Sequence, residues 1–87
     1  MAKLKDILPL LREEQVLDIS AYPGKTGVGE CFGVKAKDLK NNPDYKMYLD
    51  YEITYLTSSD TRTSYACYEY YENGFITCLA LDIKYRG

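Results

Sequence analysis

The sequence predicts an α+β domain, a single twisted, mostly antiparallel β-sheet of about five strands with an amino-terminal helix packed on one face. Three observations carry this. Alternating apolar and polar residues recur in several short tracts, a leucine stripe at helical spacing opens the chain, and an Asn-Gly pair sits between two alternating runs near its end. The 87 residues, 46% hydrophobic and 28% charged, make one folded domain over residues 1–87 with a thin core.

In "KLKDILPLLREE", Leu4, Ile7, Leu8 and Leu11 share one helical face, with Lys3, Lys5, Asp6 and Arg12 opposite. Pro9 lies inside the tract and predicts a kink, or a lead-in followed by a fresh turn near the proline. "QVLDISAY" then alternates, placing Leu17, Ile19 and Ala21 against Asp18 and Ser20. "PGKTG" breaks the pattern, and "VGECFGVKA" resumes it with Val28, Phe32 and Val34 as the apolar set, so the two runs read as a hairpin. "KDLKNNPDY" is a short helical turn ended by Asn41-Asn42-Pro43, because a residue before proline is steered out of the helical region.

"YKMYLDYEITYL" shows the longest alternation, with Tyr45, Met47, Leu49, Tyr51, Ile53 and Tyr55 on one face and Lys46, Tyr48, Asp50, Glu52 and Thr54 on the other. After the polar "TSSDTR", the last hairpin turns at Asn73-Gly74. A two-residue turn there pairs Tyr70 with Thr77, Tyr68 with Leu79, Ala66 with Leu81 and Ser64 with Ile83 on the core face. Tyr71, Glu69, Cys67, Tyr65 and Asp82 fall on the solvent face, with Cys67 and Cys78 as diagonal neighbours. The predicted order is therefore α-β-β-short α-β-β-β.

Catalytic chemistry is sparse. The chain has no histidine, which removes the commonest general base and metal ligand, and its three cysteines suggest neither a disulfide framework nor a zinc site. The expectation is a non-enzyme without cofactor or metal. "YPGKTGVGE" ends like a phosphate-binding loop, but that loop needs a glycine at position 19, which is Ile19, and a helix where Val28–Val34 looks extended. The dinucleotide pattern begun at Gly27-Val28-Gly29 meets Phe32 where its third glycine belongs. Lys25 and the turn's backbone N–H groups remain as a minor anion contact. Asp50 and Glu52 share a strand face, where carboxylates more often keep a surface hydrated than perform acid-base work.

The anomaly is tyrosine, ten residues against two phenylalanines and no tryptophan. Tyrosine supplies large, stiff, amphipathic contact area and is enriched at interfaces. Residues 1–43 carry seven basic and six acidic side chains, whereas residues 44–82 carry two and seven. An acidic, tyrosine-rich half disfavours direct nucleic-acid binding and suits a basic protein surface, of the kind that also holds nucleic acid. Tyr48, Asp50, Glu52, Tyr65, Glu69, Tyr71 and Asp82 are the candidate partner-binding residues. No apolar run is long enough to span a bilayer and the start lacks a signal-peptide pattern, so a cytoplasmic protein is expected.

"LKDILPLL", "VLDIS", "VKAKDLKNNPDY" and "YLDYEI", in that order, resemble small uncharacterised proteins encoded by phages and prophages of Gram-positive gut bacteria. The resemblance covers about residues 3–56 and brings no activity or site residues. Small phage proteins commonly act by stoichiometric binding to a host machine. The resemblance thus implies a binding inhibitor of a host defence system, anti-CRISPR or other, working in the host cytoplasm. The alternatives are a sponge for a nucleotide signal, using tyrosine rings and Lys25, and a phage structural or housekeeping module that forms a homodimer.

Overall fold

In the computed structural model, which describes residues 2–60 and 77–85, four strands form one sheet. They are β1 (Val16–Tyr22), β2 (Glu30–Lys35), β3 (Glu52–Asp60) and β4 (Thr77–Lys84), in the order β2-β1-β4-β3. β1 pairs antiparallel with β2 and β3 antiparallel with β4, while β1 and β4 run parallel. Short helical elements precede β1 and link β2 to β3, giving the α+β architecture and antiparallel-rich sheet that the sequence predicts. The described residues hold four strands rather than five, and the tract 63–72 lies outside them.

One face of the sheet is apolar in register. Leu17 lies between Val34 and Leu79, Ile19 between Phe32 and Leu81, and Ala21 between Glu30 and Ile83. Ile53 and Leu56 of β3 continue the face beside Ile83 and Leu81. Leu17, Ile19, Ala21, Val34, Leu81 and Ile83 are buried in one cluster with the helical layer. Burying a side chain of this size contributes about 1.5–3 kcal/mol.

The helical layer is built from pieces. The predicted leucine face is present, since Leu4 and Leu8 are buried and Ile7 and Leu11 pack against the core. Pro9 divides it, however, into a single turn α1 (Leu4–Ile7) and a 3-10 turn, Leu8–Leu10. Leu10 points away and is 82% exposed. Asp6 accepts the Lys3 backbone N–H at 2.9 Å, closing the start of α1. α2 (Ala36–Asn41) ends before Pro43 as expected and buries Ala36 and Leu39.

Two sequence expectations are corrected. Residues Pro43–Asp50 form a 3-10 helix, so the strand expected from Tyr45 begins only at Glu52. The Asn42 side chain accepts the Asp44 backbone N–H at 3.0 Å and Pro43 occupies the first turn, both helix-start devices. A 3-10 helix repeats every three residues, which stacks Tyr45, Tyr48 and Tyr51 on one side. Alternation and a period of three share only Tyr45 and Tyr51 here, and the aromatic spacing decides between them.

The second correction concerns β4. Both of its edges are taken by β1 and β3, so Leu81 lies between Ile19 and Leu56 rather than opposite Ala66, and Ile83 between Ala21 and Ile53 rather than opposite Ser64. These apolar neighbours cover the core face of β4, while Ser64, Ala66 and the Asn73-Gly74 turn lie outside the described residues. The core side of β4, Leu79, Leu81 and Ile83, is nonetheless the one predicted.

Candidate functional site

The Gly-Lys-Thr turn connects β1 to β2 and is closed by its own chain. The Tyr22–Pro23 bond is cis. The Gly24 N–H donates to the Val28 carbonyl at 2.6 Å and the Gly27 N–H to the Gly24 carbonyl at 3.1 Å. Gly27 adopts φ +88°, a conformation that side chains disfavour. The Glu30 carboxylate folds back and accepts the Lys25 backbone N–H at 3.1 Å, with the Tyr48 hydroxyl 3.4 Å from the same oxygen. An added Cβ at Gly24 would collide with Glu30, so glycine is required there for close approach. The Lys25 ammonium lies 5.3 Å from the centre of the Tyr45 ring, a cation-π contact. A carboxylate therefore sits where an anion would have to bind, and Lys25 is engaged elsewhere.

Behind the turn runs a line of rings. Phe32 stacks on Tyr45 at 5.4 Å and meets Tyr48 at 5.3 Å; Tyr48 meets Tyr51 edge-on at 5.2 Å, and Tyr51 lies 5.8 Å from Tyr85. The Tyr51 hydroxyl donates to the Pro23 carbonyl at 2.7 Å. Tyr48, expected on the exposed face, is fully buried, because the 3-10 helix turns it inward. Burial first, and the Glu30 carboxylate second, push its phenol up to about 12. Burial likewise raises Tyr51. These tyrosines hold the turn to the core.

The remaining candidates divide. Asp50 is exposed at the end of the 3-10 helix and makes a 2.8 Å ion pair with Lys5, whose hydrogen bond lowers the Asp50 carboxyl and raises the Lys5 ammonium. Glu52 begins β3 and Asp82 lies near the end of β4, both half-buried. Tyr65, Glu69 and Tyr71 lie outside the described residues.

Asp82 and Glu52 project from the sheet face away from the helices, and Tyr55, which strict alternation assigns to the other side, joins them. The β3–β4 register shifts between Ile53 and Tyr55. One extra residue reverses the facing of the strand beyond it, so Ile53 turns to the core while Tyr55 comes opposite Asp82 on the second face. Thr54 marks the irregularity, donating its hydroxyl to the Asp82 carbonyl at 3.2 Å. Tyr55 is 58% exposed. The adjoining positions carry Ser20, beside Asp82, and Cys31, whose sulfur lies 3.2 Å from the Ser20 hydroxyl. The bulge has no simple sequence signature, which is why alternation misplaces Tyr55.

Among the described residues no cluster of acidic or sulfur side chains is arranged to hold a metal ion. No helix among them is long and apolar enough to cross a membrane. No family model, curated protein or solved structure matches the chain.

Proposed function

We propose that the chain is a small non-enzymatic binding protein that sets an acidic, tyrosine-bearing sheet face against a basic protein surface. With the phage resemblance of residues 3–56, the reading becomes a stoichiometric inhibitor of a host defence machine, acting in the host cytoplasm. The observation that carries it is the bulge in β3, which puts the exposed Tyr55 ring beside Asp82 on the face that also bears Glu52. An exposed tyrosine beside the Asp82 carboxylate offers ring area together with charge complementary to Lys or Arg, while Glu52 on the same face stands opposite Lys84. The nucleotide-sponge alternative draws less support, because Glu30 fills the turn that would receive phosphate.

The test is co-elution of the purified chain with a panel of host defence nucleases, CRISPR effectors included. A 1:1 complex is expected with at least one. Tyr55→Ala or Asp82→Lys weakens it about tenfold or more, while Lys46→Ala on the opposite side leaves it unchanged. Absence of any complex refutes the reading, and equal binding by Tyr55→Ala refutes the face.

A further inference from the structure

The outer edge of β3 offers a second surface, distinct in chemistry from the acidic face. At its start this edge already serves as a template for strand pairing: Lys3 bridges Glu52 antiparallel, and the Ile53 N–H donates to the Ala2 carbonyl at 2.9 Å. Past Ile53 the lane beside β3 is open, since among the described residues no strand pairs there. Thr54 to Ser58 are all exposed, on both faces of the sheet, with Leu56 52% exposed on the core side. This stretch contains no charge, proline or lysine, the features that usually block edge-to-edge joining.

We propose that two copies of the chain associate through this edge, their β3 strands pairing antiparallel about a two-fold axis at Leu56. The open stretch is symmetric about that residue, and its own sequence complements itself in this register. Leu56 meets Leu56 of the second copy, Tyr55 meets Thr57, and Thr54 meets Ser58, joining aliphatic, aromatic and β-branched side chains across the strands. A register centred on Tyr55 instead sets Thr57 against Ile53, whose edge Ala2 already occupies, and so pairs only Thr54, Tyr55 and Leu56, whereas the Leu56 register reaches that position at Ser59 and pairs the whole of Thr54 to Ser58. The five-residue lane spans about 17 Å, so the interface is small and the dimer weak, populated at about 0.1–1 mM. The joined sheet would run through eight strands without interruption.

Sedimentation equilibrium up to about 1 mM tests this, reading mass against the 10.0 kDa of one chain. The expected result is an average mass rising toward twice that value. Leu56→Lys and Leu56→Glu each place like charges in direct opposition and stay monomeric, while an equimolar mixture of the two regains association. Circular dichroism of each variant alone reports folding, and recovery on mixing separates a lost contact from a lost fold. A wild-type chain that stays monomeric at about 1 mM overturns the proposal, as does a mixture that fails to associate while the wild type does.

Discussion

Replacing Tyr48 by alanine separates a tyrosine on an exposed strand from one at the centre of a 3-10 helix. Tyr48 is fully buried, with rings of Phe32 and Tyr51 at 5.3 and 5.2 Å. Truncating a buried aromatic costs about 3–5 kcal/mol, from lost transfer energy and the cavity left behind. A chain of 87 residues has a total stability of about 4–13 kcal/mol, so the variant should lie near the edge of unfolding. Tyr48→Phe removes only a long 3.4 Å hydrogen bond to Glu30, which keeps the Lys25 N–H, and costs about 1 kcal/mol or less. Lys46→Ala, on an exposed position of the same helix, should change stability by about 0.5 kcal/mol at most. Urea unfolding followed by circular dichroism gives all three values. A Tyr48→Ala loss below about 1 kcal/mol would mean a surface tyrosine and refute the inward-facing 3-10 helix.

Other outcomes rest on the same contacts. Hydrogen bonds from Lys35 and Lys37, at 2.8 and 2.7 Å, lower the exposed Glu14 carboxyl from 4.5 to about 2. Its folded value lies below its unfolded one, so the stabilisation is present above pH 4.5 and is lost as pH falls toward 2. Glu14→Gln should flatten that limb of the stability profile, and added salt should shrink the difference. Tyr48 has the opposite sign: its raised phenol favours the fold below pH 10 and ceases to do so as pH climbs through about 12. Ultraviolet titration should show a tyrosine step near pH 12 that is missing in Tyr48→Phe. Gly24→Ala should destabilise by about 1–3 kcal/mol through collision with Glu30, and pairing it with Glu30→Ala should recover part of that loss in thermal melts.

Local signals in the sequence located what is locally determined. The alternation of Leu17, Ile19 and Ala21, the stop at Pro43, and the core side of Leu79, Leu81 and Ile83 all appear in the structure. The failures have physical causes. Tyr45, Tyr48 and Tyr51 lie three apart, but Met47 and Leu49 fill the gaps and imitate a strand. Tyr55 changes face through one irregular residue. The parallel contact of β1 with β4 joins segments about sixty residues apart, beyond any window that reads periodicity, so local pattern alone favours a partner across the nearby Asn73-Gly74 turn. Of the candidate residues, Tyr48 belongs to the core, Asp50 pairs with Lys5 at the end of the 3-10 helix, and Glu52 and Asp82 lie half-buried on the sheet face that Tyr55 joins.

The place of β4 also sets an order of events. It lies between β1 and β3, yet it is the last of the four strands to leave the ribosome. Until then β1 has β2 alone beside it, and β3 lacks the neighbour that joins it to the rest of the sheet. Nascent chains that stop short of β4 therefore expose two unfinished edges, and the sheet closes in one late step that brings remote segments together. Truncation before Thr77, which removes β4, should abolish folding outright rather than trim one side of the domain.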